Sequence, residues 1–409
     1  MKDTVSKYLK KKSFFSVNCP QKEGGQAEIR SDFPFGNKFF PIAVCIPAYN
    51  EYPNIIHTLQ SLAVSSATCG VKVEAVVCVN NRGTSPIETK QNNHYLVEML
   101  HRISQNEFFV DESSTCGVRI TVLDFTKNEN QFKSGFGVGW ARKIAMDYAL
   151  ERGAKVIACL DADTLVSTDY CGELERFRRE EMDFATMDFT HQEAESSELQ
   201  EAINCYEFWM KDHSRKMEET GTPFHYMALG SLIVVSDSMY AQVGGMKNRL
   251  AGEDFYFIQE TIKILLSRAK TEDEFLSIVP RLNCQVYPES RISERVLFGT
   301  GKSLALMNCT SKKVRFYLDS SYMQVRKFIE IFNEYNKKGL AIDFKMQVLS
   351  GFENRLEKST IQFLIQDRFF ENWEKMISNT KNNCLKNAVS FHCKFDGLKI
   401  IRMIHFIEK

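Results

Sequence analysis

The 409-residue sequence predicts an α/β protein: a mixed, mainly parallel sheet flanked by helices, followed by a helical C-terminal region. Three observations carry that expectation. Short apolar runs rich in β-branched residues alternate with amphipathic stretches of roughly ten to fifteen residues, the pattern of strand–helix–strand units. Those runs end in clusters of polar residues, as buried strands do where they reach the ligand-binding edge of an open sheet. Beyond about residue 310 apolar and aromatic residues recur at helical spacing, as in Val325, Phe328, Ile329 and Phe332.

Residues 1–39 are polar and carry Gly24-Gly25 and Asp32-Phe-Pro-Phe-Gly36, so they read as an arm leading into the first domain. Residues 41–46 form a first buried strand that ends in Pro47-Ala-Tyr-Asn-Glu51. Ile55, Ile56, Leu59 and Leu62 put a helix over 54–66. A second strand over 71–79 ends in Asn80-Asn81-Arg82-Gly83, a helix covers 94–104, and a third strand covers 118–125. The turn Gly135-Phe-Gly-Val-Gly139 opens a helix over 140–151. Val156-Ile-Ala-Cys-Leu-Asp161-Ala-Asp163 then runs five apolar residues straight into two carboxylates. Further on, 184–189 reads as a strand, 197–219 as a long helix and 226–235 as an apolar run. A short helix over 236–243 closes on Gly244-Gly245, and Glu253-Asp254 opens a helix over 255–267. The expected division is an arm over 1–39, a catalytic domain over 40–305 and a mainly helical region over 306–409.

A hydrophobic fraction of 44% and a charged fraction of 25% are those of a soluble globular protein. Its 52 Lys and Arg balance 52 Asp and Glu, which gives no global basic field to attract nucleic acid. From residue 301 on, 19 Lys and Arg outnumber 11 Asp and Glu, so that region alone is basic. The 12 cysteines sit in apolar segments (Cys45, Cys78, Cys159) and form no Cys-x-x-Cys pair, which reads as reduced thiols and a cytoplasmic location. No stretch has the length of a membrane span or a signal-peptide core. The last segment, 398–407, is basic and amphipathic. Packing against the protein is the commoner use of such a helix, with attachment at the inner face of a membrane as the alternative.

Two carboxylates one residue apart just past a strand can both reach one hard divalent cation, Mn²⁺ or Mg²⁺, which in turn holds phosphate oxygens. Taken alone, Asp161-x-Asp163 is equally a polar turn. Strand ends on one edge of a parallel sheet converge in space, however. Tyr49-Asn50-Glu51, Asn80-Asn81-Arg82, Arg142-Lys143 and Asp161-Asp163 are therefore expected at one site. Arg142 and Lys143, one turn into their helix, suit diphosphate or ribose contact, or else a solvated face. Glu253 and Asp254 alone would be ordinary acidic residues at a helix N-terminus.

Two glycine patterns mislead. Gly135-x-Gly137-x-Gly139 has Trp140 where a dinucleotide fingerprint needs Gly or Ala, and it lies too far from its strand. Gly301-Lys302-Ser303 lacks the first glycine of a P-loop, since position 296 is Val. Arg291, Arg295 and Phe298-Gly-Thr-Gly-Lys302 read as a basic loop over a diphosphate or as a connector.

Ile46-Pro-Ala-Tyr-Asn-Glu51, Asp161-Ala-Asp163, Leu229-Gly230-Ser231 leading to Val243-Gly244-Gly245, and Glu253-Asp254 resemble, in order and spacing, the motifs of family 2 glycosyltransferases. The resemblance covers about residues 40–270 and implies the GT-A-type, Rossmann-like fold of nucleotide-diphospho-sugar transferases. It implies that Pro47, Ala48, Tyr49 and Glu51 line the nucleotide pocket. Asp161 and Asp163 would hold the metal and the donor diphosphate, and Asp254, beside Glu253, would be the general base of an inverting reaction. Many members carry an acidic residue for uracil after the second strand. Asn80 and Asn81 stand there in this chain, which leaves the choice of base open.

The expected function is a metal-dependent, inverting glycosyltransferase. It would move a sugar from a nucleotide-diphosphate donor to a hydroxyl of a glycan, lipid-linked or other acceptor. A nucleotidyltransferase on a related fold and a catalytically silent sugar-nucleotide-binding scaffold are the alternatives.

Overall fold

The computed structural model describes residues 2–17, 40–105, 117–127, 130–292, 316–350, 355–380 and 383–409. They divide between two compact units. Unit 1 comprises Met1–Asn204, Ala228–Ile258 and Pro280–Lys312, and unit 2 comprises Cys205–Met227, Gln259–Val279 and Lys313–Lys409. Two stretches of the expected 40–305 domain therefore belong to unit 2. The basic loop around Arg295 and Phe298-Gly-Thr-Gly-Lys302 lies outside the described residues.

The stretch expected as an arm begins with two helices, α1 (Lys2–Lys11) and α2 (Phe14–Val17), while 18–39 lies outside the described residues. Tyr8, Phe14 and Phe15 are buried. Polar composition hid this, because only these few apolar side chains anchor the segment.

Four parallel strands form one half of the unit 1 sheet. They are β1 (Ile42–Ala48), β2 (Lys72–Asn80), β3 (Gly117–Phe125) and β4 (Val156–Cys159), in the order β3-β2-β1-β4. Every residue of β1 and β4 is buried, as expected of strands covered on both faces. Helices α3 (Asn54–Cys69), α4 (Ile87–Gln105) and α5 (Val138–Glu151) connect them.

The sheet continues from β4 through β7 (Val234–Ser236), β6 (Phe184–Phe189), β8 (Arg281–Tyr287) and β5 (Leu165–Val166). β7 is antiparallel to both neighbours, β6 and β8 are parallel, and β5 is antiparallel to β8. The result is the GT-A-type, Rossmann-like arrangement, a mixed and mainly parallel sheet flanked by helices. Only the end of the 226–235 apolar run is a strand. Gly230–Leu232 is instead a turn of 3₁₀ helix that brings Ser231 to the end of β4.

The remaining helices outside the C-terminal region are α6 (Tyr170–Arg179), α7 (Ser197–Glu219), α8 (Asp237–Val243) and α9 (Glu253–Leu266). After them come α10 (Asp319–Lys337), α11 (Phe344–Leu349), α12 (Lys358–Gln366), α13 (Phe369–Thr380), α14 (Cys384–Lys394) and α15 (Gly397–Ile407). Unit 2 packs on an aromatic core in which Phe332 stacks on Phe391 at 3.9 Å between ring centres. Ile400, Met403 and Ile404 of α15 are fully buried, so the apolar face of that last helix is used inside the protein. Among the described residues no helix is long and apolar enough to cross a membrane.

Candidate active site

The polar strand ends of unit 1 meet around α5. Arg142, one turn into that helix, is 3% exposed. Its Nε donates to Glu253 Oε1 at 2.9 Å and its Nη2 to Asp161 Oδ1 at 2.5 Å. Burial alone would lower the pKa of the guanidinium. The carboxylates of Asp161 and Glu253 reverse that and keep it charged. The expected diphosphate contact at Arg142 is thus, in this structure, a buried tie between the end of β4 and the start of α9. Its neighbour Lys143 faces elsewhere, to Asp147 Oδ2 and Tyr8 Oη, each at 2.7 Å.

Asp161 is held at three points. Besides Arg142, its backbone N–H donates to Ser231 Oγ at 2.9 Å, and Ser231 Oγ donates to Asp161 Oδ2 at 3.0 Å. Gly230 makes room for this. A Cβ there would lie 2.0 Å from Arg142 Nη2, which gives the Gly230-Ser231 pair a steric and a hydrogen-bonding reason.

Asp163 meets a second arginine. Arg291 Nη2 donates to Asp163 Oδ2 at 2.6 Å and to Glu51 Oε2 at 2.5 Å, and its Nε lies 2.7 Å from Glu289 Oε2. The Glu51 and Asp163 carboxylates raise the arginine's pKa against the opposing effect of burial. Gln192 Nε2 fixes the Asp163 carbonyl at 3.0 Å.

Asp254 stands on the first turn of α9, partly enclosed, and accepts from the Phe255 N–H at 2.7 Å. Removal from water and then the adjacent Glu253 carboxylate push its pKa up to about 7, against the lowering by Arg142.

The ends of β1 and β2 are joined by amides. Asn93 of α4, fully buried, accepts from the Asn50 N–H at 2.8 Å. It donates to Asn80 O at 3.0 Å and Asn81 Oδ1 at 2.7 Å. Asn80 Nδ2 donates to Ala48 O at 3.2 Å and Asn81 Nδ2 to Thr126 O at 3.4 Å. Pro47 and Ala48 are buried at the end of β1. Tyr49 Oη donates to Ser85 Oγ at 3.0 Å, and Arg82 lies 6.0 Å from the centre of the Tyr49 ring. Asn93 was not foreseen, because an Asn inside a polar helical stretch carries no pattern. Glu289 was missed because it follows β8, a strand the sequence did not reveal.

Glu51, Asp161, Asp163, Glu253, Asp254 and Glu289 bring six carboxylates to two arginines, Arg142 and Arg291. A diphosphate anion meets repulsion there unless a cation accompanies it. Asp161 and Asp163 offer the hard oxygen donors that Mn²⁺ or Mg²⁺ takes. Among the described residues no three His, Cys, Asp or Glu side chains form a complete metal cluster. Mg²⁺ commonly binds through one or two carboxylates plus phosphate and water, so the donor set suits it. His213 and His225, in unit 2, bond Tyr322 Oη at 2.6 Å and Leu276 O at 3.0 Å.

The sequence matches no family model and no curated protein. Among solved structures the chain is similar to S. aureus TarS 1–349 in complex with UDP-GlcNAc. The identity is 15% and the TM-score 0.37, over 85% of this chain and 89% of that one. Against S. aureus TarS 1–349 the values are 13% and 0.33, with the same coverage. Against S. aureus TarS they are 13% and 0.33, over 89% of this chain and 54% of that one.

Proposed function

We propose that the protein is an inverting, metal-dependent glycosyltransferase that moves a sugar from a nucleotide-diphosphate donor to an acceptor hydroxyl. The observation that carries this reading is the pairing of Asp161 with the Glu253-Asp254 turn through Arg142. It sets a donor-side carboxylate beside a carboxyl group whose pKa of about 7 suits a general base at neutral pH.

Asp254 accepts the proton of the acceptor hydroxyl as its oxygen bonds to the anomeric carbon. The bond from that carbon to the diphosphate oxygen breaks on the opposite face, and the nucleoside diphosphate leaves. Glu253, held by Arg142, keeps Asp254 basic and in place. Asp161 and Asp163 would hold Mn²⁺ or Mg²⁺, which when bound supplies positive charge to the departing diphosphate. Each member of that pair already bonds an arginine, Asp161 to Arg142 and Asp163 to Arg291. Pro47, Ala48, Tyr49, Glu51, Asn80 and Asn81 surround the place for the nucleoside.

Incubation with a panel of sugar nucleotides and Mn²⁺, followed by analysis of the released nucleotide, tests the reading. Free nucleoside diphosphate is expected. Pyrophosphate released in a parallel incubation with nucleoside triphosphates and sugar 1-phosphates would point to a nucleotidyltransferase, and no turnover in either would leave the scaffold alternative.

A further inference from the structure

One fully buried carboxylate of unit 1 lies outside the candidate site. Asp147, fully buried on α5, accepts from Tyr8 Oη at 2.6 Å, Tyr240 Oη at 2.8 Å, the Phe14 N–H at 2.7 Å and Lys143 Nζ at 2.7 Å. Two of those four donors come from α1 and α2. Tyr8 Oη also receives a bond from Lys143 Nζ at 2.7 Å, so α1 grips α5 at both 143 and 147, one helical turn apart. Arg142, the residue before Lys143, ties the same turn of α5 to Asp161 and Glu253.

The Gly244-Gly245 pair is shaped to this grip. Gly245 has φ +75°, and a Cβ on it would lie 1.9 Å from Tyr8 Oη, so only glycine admits the tyrosine.

We infer that the N-terminal helix is a working part of the catalytic unit: Tyr8, through Asp147 and Lys143, fixes the turn of α5 from which Arg142 orders Asp161 and Glu253. Tyr8 and Asp147 are positioning residues, since neither faces the place of the substrate. The inference relies on the transferase reading only for what Arg142 serves. The coupling itself is a property of the fold. Tyr8 cannot be replaced at no cost, because its loss leaves Lys143 and Asp147 buried with fewer partners.

Hydrogen–deuterium exchange on the full chain tests it, comparing wild type, Tyr8→Phe, Gly245→Ala and a cavity-forming control, Val122→Ala in β3. Tyr8→Phe and Gly245→Ala should each speed exchange by about tenfold in residues 139–147, 160–164 and 252–256, the scale of one lost buried hydrogen bond. Residues 46–50 and 78–82, at the nucleoside side, should exchange as in wild type. With the panel donor that is turned over, kcat should fall by about tenfold and donor KM change by less than about twofold. Faster exchange confined to residues 2–17 and 240–246, or a uniform rise matching that of Val122→Ala, would overturn the coupling. Exchange is read without turnover, so a failure of the transferase reading remains distinguishable from a failure of this one.

Discussion

Arg142 Nε donates to Glu253 Oε1 across 2.9 Å with both side chains nearly closed to solvent, and so joins α5 to the first turn of α9. A buried ion pair of this kind contributes little net stability when intact, but removing one partner strands the other. Arg142→Ala should therefore destabilise the protein by about 3–5 kcal/mol, read from urea denaturation. Arg142→Lys should recover only part of this, because an ammonium cannot span Glu253 and Asp161 as the planar fork does.

Gly230→Ala tests the same junction from the other side. The added methyl group meets the Arg142 guanidinium, a flexible side chain, so the arginine should move and the chain should still fold. The expected cost is about 1–3 kcal/mol of stability, with a loss of transfer activity that exceeds what stability explains. Full activity in a folded variant would mean that the bonds from Arg142 to Asp161 and Glu253 are dispensable.

The pH dependence follows from Asp254. Its folded pKa of about 7 lies above the ordinary 3.8, so the folded protein holds this proton more tightly than the unfolded chain does. Its contribution to stability is fully present below pH 3.8 and is lost as pH rises through about 7. Asp254→Asn should accordingly raise the Tm relative to wild type more at pH 8 than at pH 4. As a base Asp254 must be ionised, so wild-type kcat/KM should rise with pH through an acid limb near 7.

Arg291 Nη2 already bonds Asp163 Oδ2, so a cation taken up by Asp161 and Asp163 would compete with it. Arg291→Gln should therefore tighten Mn²⁺ binding in the absence of nucleotide by roughly tenfold, as measured by calorimetry. Chelation with EDTA should abolish transfer, and Mn²⁺ or Mg²⁺ should restore it.

Much of the sheet was legible in the sequence because β1, β2 and β4 are almost continuously buried and such strands are mostly apolar and β-branched, with Glu74 of β2, bonded to Arg119 and Thr121, as a buried exception. The expected strands over 41–46, 71–79 and 118–125 differ from Ile42–Ala48, Lys72–Asn80 and Gly117–Phe125 by two residues or fewer at either end. β8 was not foreseen, although Leu282, Cys284 and Val286 alternate with Arg281, Asn283 and Gln285 along it. An alternating strand is quieter than a continuous apolar run. Apart from Glu289, the carboxylates of the candidate site stood out because they follow buried strands or open a helix. Their partners did not. The sequence around Arg142 suits a diphosphate or ribose contact or a solvated face, and only tertiary packing places its guanidinium between Asp161 and Glu253. Tyr8 lies more than a hundred residues from Asp147, a contact no local pattern can carry.

In the proposed reaction Asp254 removes the acceptor proton. Donor affinity and single-turnover transfer, both measured on Asp254→Asn, test it most directly. Donor binding should stay within about twofold of wild type, and transfer should fall by roughly 10²–10⁴-fold. Comparable transfer by the Asn variant would contradict it.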